Sequence, residues 1–454
     1  MVPCPAWRKA TLEPGLKPAL SWRPQTPPTC REREMSDRRI RFAATTVTSP
    51  PAIADVRPGP TPARARDERL DFFRGITMFI IFIAHMPGNS WNGFIPARFG
   101  FSSGAELFVF CSGLASAIAF GGTFARHGMS IGTARIIHRI WQVYWAELCL
   151  VLALITLAAA SDAIFGLDIL RAQFGPLLTE PGRALLGIVT LTWQPDLLDI
   201  LPMYIAILAM VPVMIGARRL HPLAPFVISL SLYAAVWSAG LNLPGNPWTG
   251  SGWFLNPFAW QALFFIGFAI RMKWLPVPRL AAPKLMLACA IFVAASVPLS
   301  FWVILERWPE LNGVRDLFFG PQEKTDLHPL RIAHFLALAY LVVSLIEPWR
   351  AKLGQGAGRV ISQIGQQSLA TFLASVVLAR FGATLAELAG GSEIAVAAIN
   401  IAAFAALYAV ARTVRWFMQS PWKATTQAPV SLQRALEVPF HVDCPTCMLM
   451  RSAN

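Results

Sequence analysis

The sequence predicts an all-α integral membrane protein with about ten transmembrane helices and both termini in the cytoplasm. Apolar residues make up 55% of the 454-residue chain and charged residues only 14%, whereas soluble domains carry about 25% charged residues. Apolar stretches long enough to cross the hydrocarbon core recur from residue 70 onward. Lys and Arg alternate between loops as the positive-inside rule requires. These observations exclude a soluble enzyme.

Two tails flank the predicted membrane domain, which covers residues 67–415. Residues 1–66 are rich in Pro, Arg, Thr and Ala and have no apolar period, which predicts a disordered basic tail. Met35 is an alternative start to Met1. Residues 416–454 are predicted to form a cytoplasmic C-terminal tail, in which Cys444 and Cys447 form a lone C-x-x-C motif. A zinc site needs a second pair of ligands, so no metal site is predicted.

Ten spans are predicted within the membrane domain. A further apolar segment, 184–194, is interrupted by Trp193-Gln194-Pro195-Asp196 and is predicted to be a short interfacial or re-entrant helix. The spans lie at about 70–86, 102–121, 137–160, 198–216, 222–240, 256–272, 284–304, 330–348, 363–387 and 393–412.

The distribution of basic residues sets the predicted orientation. With the N-terminus in the cytoplasm, the cytoplasmic segments carry 31 of the 39 Lys and Arg residues and the outer loops carry six. The net charge of +14 is therefore interpreted as a topology signal. No basic face accompanies a soluble core, which argues against nucleic acid as a partner.

The first span carries three ionisable residues on one helical face. At 100° per residue, Arg74 lies about 20° and Asp71 about 40° from His85 around the helix axis. Ionisable residues in a membrane are costly and mark candidate functional sites. The structural alternatives are an ion pair of Asp71 with Arg74, a membrane-surface anchor for Arg74 and a hydrogen-bonded helix end for His85.

Two further spans place ionisable residues near the outer surface. Glu106 lies at the start of the second span, and Arg331 and His334 are neighbours at the start of the eighth. The predicted topology places these three residues and His85 at similar depth. That arrangement favours an acid–base site with an anion-binding arginine, the alternative being a polar network that stabilises the bundle.

Residues 100–104 match the G-x-S-x-G pattern of a nucleophile elbow. That elbow needs a preceding strand in an α/β sheet, whereas here the match opens a predicted membrane helix. Ser102 is therefore not predicted to be a nucleophile.

The first span also carries a family resemblance. Arg69-x-Asp71-x-x-Arg74-Gly75 followed by His85 resembles the first-helix signature of the membrane acyltransferase type 3 superfamily. Within it, residues 66–415 more closely resemble the OpgC family, which succinylates osmoregulated periplasmic glucans. Further segments carry this resemblance: Phe99–Gly113, Leu201-Pro-Met-Tyr204, Pro329–Leu338 and Gly365-Gln-Gln-Ser-Leu369 with Phe372.

The resemblance implies an O-acyltransferase of the bacterial inner membrane. It implies transfer of an acyl group, here succinyl from succinyl-CoA, to hydroxyls of periplasmic glucan, without a permanently bound cofactor. The coenzyme A phosphates would contact four arginines near the inner surface: Arg69, Arg74, Arg135 and Arg139.

The resemblance also suggests roles for the outer residues. His85 would take the proton from the sugar hydroxyl, oriented by Glu106 or Asp71. Arg331 would hold the succinyl carboxylate or the oxyanion, and His334 would be a second proton carrier. Direct transfer and an acyl-enzyme both stay open. The alternatives are another surface polysaccharide or lipid acceptor, or a transporter or flippase, although no convincing twofold repeat supports a transporter.

Overall fold

The computed structural model describes residues 67–195, 198–318 and 324–423, and in these ranges the regular structure is helical. The predicted N-terminal tail, Met35, Cys444 and Cys447 lie outside the described residues. The helices are α1 (Glu68–His85), α2 (Gly104–Phe165), α3 (Ile169–Thr179), α4 (Pro181–Thr190), α5 (Ile200–Leu220), α6 (Ala224–Ala239), α7 (Pro257–Arg271), α8 (Pro283–Ser296), α9 (Trp302–Arg307), α10 (Glu310–Phe318), α11 (Pro329–Ile346), α12 (Gly356–Gln366), α13 (Ser368–Leu388) and α14 (Glu393–Met418).

Five of the described helices are long and apolar enough to cross a membrane, namely α2, α5, α11, α13 and α14. The apolar helices α6, α7 and α8 are shorter. These helices confirm the prediction of an all-α, multi-pass membrane protein. The count of ten spans and the cytoplasmic termini stay predictions.

Helix α2 contains two of the predicted spans, separated by a break at Gly128. Gly128 has φ 78° and ψ −173°, which is outside the helical region and favours glycine. A Cβ atom on Gly132 would collide with the ring of Phe124, although residues eight apart in a continuous helix are about 12 Å apart. The chain therefore folds back at Gly128, as predicted for the loop between the second and third spans.

Other helix boundaries differ from the predicted spans. The ninth predicted span consists of two helices, α12 and α13, which meet at Gln367 with φ −107° and ψ 34°. Helix α8 ends at Ser296, earlier than predicted, because Pro298 follows and cannot donate to the preceding turn. The apolar segment 184–194 includes the short helix α4, whose Val189 carbonyl accepts a hydrogen bond from Tyr144 Oη at 2.8 Å.

Glycine allows two pairs of helices to pack with their backbones in contact. A Cβ atom on Gly75 of α1 would collide with the Ile361 carbonyl of α12, and one on Gly365 of α12 would collide with the Asp71 carbonyl of α1. Gly113 of α2 lies in the same way against the Phe264 carbonyl of α7. Small residues at such interfaces are typical of helices that pack within a membrane.

Contacts near the helix termini define two ends of the bundle. At the first, called the basic end, Arg69 Nη1 lies 2.5 Å from Glu347 Oε2 and Arg219 donates to the Phe124 carbonyl at 3.2 Å. At the other, called the opposite end, Asn89 and Asn400 exchange hydrogen bonds of 2.8 and 3.2 Å through their buried side-chain amides. Helix α1 runs from the basic end to the opposite end, and the part of α2 before Gly128 runs back to the basic end.

Candidate functional site

A buried ion pair joins the start of α2 to the start of α11. Arg331 Nη2 lies 2.6 Å from Glu106 Oε1, and Arg331 Nε donates to the same oxygen at 2.8 Å. Glu106 Oε2 accepts hydrogen bonds from the backbone N–H and the hydroxyl of Ser103, both at 2.7 Å. The pair is almost completely removed from solvent. Four hydrogen bonds to one carboxylate offset the desolvation that burial of the charges requires.

The local sequence explains why Glu106 lies where it does. Ser103 caps α2 and Glu106 is the third helical residue, so the two form a capping box that fixes the carboxylate at the helix start. On the other side, His328 caps α11 by accepting from Leu330 N, and Pro329 is the first helical residue. Arg331 is thereby held in the first turn of α11.

His334 lies one turn further along α11 and contacts the chain just before α2. Its Nδ1 is 2.8 Å from the Ser102 hydroxyl, and both side chains are buried. Its Nε2 is buried and has no hydrogen-bond partner among the described residues. The imidazole packs on Gly100, where a Cβ atom would collide with the ring, and its centroid is 5.6 Å from that of Phe101.

His85 ends α1 at the opposite end and has a defined tautomer. Its Nδ1 lies 2.8 Å from the Ile81 carbonyl oxygen. Because a carbonyl oxygen can only accept, Nδ1 carries a proton, and in the neutral imidazole the lone pair is then on Nε2. The buried ring can therefore act as a proton acceptor through Nε2.

The structure places His85 at a different level from the other predicted outer residues. A Cβ atom on Gly104 would contact Ile80, so α1 passes the start of α2 at Ile80. His85 is five residues beyond Ile80, whereas Glu106 is two residues inward from Gly104. At 1.5 Å per residue the α-carbons of the two residues are about 10 Å apart along the bundle. The structure thus brings Glu106, Arg331 and His334 together, and places His85 nearer the opposite end.

The inner half of α1 carries Arg74, which lies beside the break between α12 and α13. Its guanidinium donates a hydrogen bond to the Ser368 hydroxyl, at the first residue of α13. Asp71, Cys111 and Tyr204 lie within electrostatic range of this guanidinium. Asp71 is buried on the side of α1 that faces α12.

Of the other three arginines predicted to contact coenzyme A, Arg135 and Arg139 are four residues apart on α2, and Arg139 lies within electrostatic range of Arg74. Arg69 is bound by two carboxylates, from Asp67 and from Glu347. Arg135 donates to the Thr123 hydroxyl and lies 5.8 Å from the Phe120 ring centroid, and Arg139 donates to Gln142 on an exposed part of α2. The guanidinium of Arg69 is thus largely neutralised where it lies.

Two buried charged residues were not assigned a role by the sequence. Arg380 on α13 lies two residues before Gly382, which packs against Met86 just beyond His85. Glu147 on α2 is buried, and its Oε2 has no hydrogen-bond partner among the described residues. Both are charged residues inside predicted spans, and this position in the sequence could have identified them as candidate functional residues. The described residues contain no group of three His, Cys, Asp or Glu side chains that could hold a metal ion.

Comparison with known proteins identifies the family. The model of a family described as OpgC protein matches residues 66–419, which is most of the chain. A comparison with curated proteins found no match, and neither did a comparison with solved structures. The matched range includes α1 through α14 and every residue of the sites described above. The chain therefore belongs to the OpgC family.

Proposed function

We propose that this protein is a membrane O-acyltransferase that transfers a succinyl group from succinyl-CoA to hydroxyl groups of periplasmic glucan. Membership of the OpgC family supports an acyltransferase acting in glucan succinylation. The observation that carries the chemical assignment is the hydrogen bond from His85 Nδ1 to the Ile81 carbonyl. It leaves Nε2 as the acceptor that a general base needs.

In the proposed reaction, His85 acts on the acceptor hydroxyl. Nε2 takes the hydroxyl proton as the sugar oxygen attacks the thioester carbonyl carbon and the new C–O bond forms. The tetrahedral intermediate collapses with cleavage of the C–S bond. Coenzyme A leaves as a thiolate and takes the proton from the His85 imidazolium, so that the base is regenerated.

Arg331 is proposed to bind negative charge of the acyl donor. Its guanidinium contacts Glu106 Oε1 at 2.6 and 2.8 Å, and the planar fork of N–H donors matches the geometry of a carboxylate. Because the Glu106 carboxylate is itself held by Ser103, it fixes the guanidinium in one orientation. In this proposal Glu106 is a positioning residue for Arg331, and Arg331 binds the carboxylate end of the succinyl group.

The proposed orientation places the basic end in the cytoplasm of a bacterial cell and the opposite end in the periplasm, across the inner membrane. The arginines of the basic end support this orientation through the positive-inside rule. Acyl-CoA would then approach from the basic end, beside Arg74, and glucan would approach His85 from the opposite end.

The test is mass spectrometry of periplasmic glucans from cells that express variants of the chain. His85→Ala should abolish succinyl ester on the glucan while the amount of protein in the membrane is unchanged. His138→Ala is the matched control, because His138 is exposed on α2 near the basic end, and it should leave the glucan fully succinylated.

Three other results bear on the assignment. Fully succinylated glucan in the His85→Ala strain would remove His85 as the base. Unchanged glucan in a deletion strain, combined with an altered surface polysaccharide, would favour a different acceptor. Membranes supplied with succinyl-CoA can separate an enzyme from a transporter. If glucan becomes anionic there only when the gene is restored, the protein is an enzyme.

A further inference from the structure

A cleft between α12 and α14 lies at the basic end, and none of the residues assigned above lines it. Its volume is about 300 Å³. The lining is basic and amide-rich, with one aromatic side chain: Arg359, Gln363, Arg412, Arg415, Trp416 and Gln419.

The three arginines of this cleft have no carboxylate partner among the described residues. Arg412 reaches only the Tyr408 hydroxyl, at 3.4 Å. At the same end of the bundle Arg69 is bound by two carboxylates, whereas the three guanidinium groups that line the cleft lie together without one. The C-terminus of α14 contributes only about half a negative charge, which does not balance three guanidinium groups.

Helix geometry directs these side chains into one space. Arg412 and Arg415 are three residues apart on α14, and Arg359 and Gln363 are four apart on α12, so each pair shares one helical face. Both pairs line the same cleft. Guanidinium groups present forked N–H donors that match the oxygens of a phosphate group.

Aromatic side chains place the cleft at the level of lipid head groups. Trp416, Phe417 and Trp422 pack against one another, with ring centroids 5.0 to 6.3 Å apart, and all three are exposed. Exposed aromatic clusters of this kind are typical of the boundary between hydrocarbon and water. Basic pockets between helices at this boundary suit phosphate-bearing head groups.

We propose that the cleft formed by Arg359, Arg412 and Arg415 binds the phosphate group of an anionic ligand. Two sources supply that chemistry: the head group of an anionic phospholipid in the adjacent leaflet, and the nucleotide end of a coenzyme A thioester. The first source is independent of the acyltransferase assignment, whereas the second rests on the proposed function.

The experiment measures binding of two probes to the full chain purified in a neutral detergent. The variant is Arg412→Gln combined with Arg415→Gln. The matched control is Arg126→Gln, since Arg126 is also exposed near the basic end but does not line the cleft. Phosphatidylglycerol binding is measured by native mass spectrometry, with phosphatidylcholine as the uncharged comparison, and coenzyme A binding is measured by calorimetry.

We expect the double variant to bind one of the two probes on the order of 20–30-fold more weakly, and Arg126→Gln to bind it normally. The probe that is lost identifies the source. A charge-conserving pair, Arg412→Lys with Arg415→Lys, should retain part of the binding, which separates loss of charge from misfolding.

Unchanged binding of both probes by the double variant would overturn the proposal, as would equal losses in the Arg126→Gln control. Either outcome is distinguishable from failure of the acyltransferase assignment. Succinylation of glucan by the His85→Ala strain tests that assignment without reference to the cleft.

Discussion

Glu106→Gln would leave the Arg331 guanidinium buried without its counter-ion. The glutamine retains an acceptor toward Arg331, but its NH₂ group replaces the oxygen that accepts from the backbone N–H of Ser103. Breaking a buried pair by removing one partner costs about 3–5 kcal/mol. We therefore expect the apparent melting temperature of the full chain in detergent to fall by on the order of 5 °C. Intrinsic tryptophan fluorescence measures this change.

A double-mutant cycle turns this expectation into a measurement of the pair itself. Arg331→Met alone strands the Glu106 carboxylate and should destabilise the chain by a similar amount. The combination of Glu106→Gln and Arg331→Met removes both charges, and a buried pair replaced by neutral side chains of similar size is often no less stable. The double variant should thus melt at a higher temperature than either single variant, yet remain inactive because Arg331 is gone.

Additive losses in the double variant would refute this reasoning. Additivity would mean that the two side chains do not depend on each other, in spite of the 2.6 Å contact between them. Arg350→Met is a suitable reference, because the Arg350–Glu347 pair at 3.9 Å is exposed and its loss should shift the melting temperature little.

Three other substitutions follow from close contacts. Gly100→Ala should lower succinylation as far as His334→Ala does, because the added methyl group displaces the imidazole; Gly175→Ala, where nothing lies within 4 Å, should leave glucan succinylation unchanged. Gly75→Ala should reduce the amount of folded protein in the membrane, measured by size-exclusion chromatography in detergent, since its methyl group meets a backbone carbonyl of α12. Asn400→Ala should lower the melting temperature by an amount corresponding to about 1–3 kcal/mol, because it leaves a buried amide without its partner; no measurable shift would contradict that contact.

The positions of the helices could largely be predicted from the apolar pattern. The first span was predicted at 70–86 and α1 is Glu68–His85, because the Asp67 cap and the following Pro87-Gly88 limit the helix in sequence. The break at Gln367 could not be predicted in this way. Apolar residues continue on both sides of it, and the hydrogen bond from Arg74 to Ser368 forms only when α1 packs against this segment.

The candidate site was predictable in its charges but not in its pairings. Glu106, Arg331 and His334 were singled out because charge inside a span is costly. The contact of His334 with Ser102 joins residues 232 positions apart. The motif around Ser102 matches a nucleophile elbow, and its membrane-helix context predicts only that Ser102 is not a nucleophile. The depth of His85 relative to Glu106 depends on where α1 crosses α2. The residue pattern of one helix does not specify that crossing.

The glycine contact between α1 and α12 restricts the route that an acyl donor can take. At Gly75 and Gly365 the two backbones meet, so no gap is left there for an extended thioester arm or for a lipid chain. That side of α1 is therefore covered by α12. In the proposed function, a donor that arrives at the basic end would instead pass along the neighbouring side of α1. On that side Arg74 lies within electrostatic range of Cys111 and Tyr204. A methyl group added at Gly75 would force α1 and α12 apart.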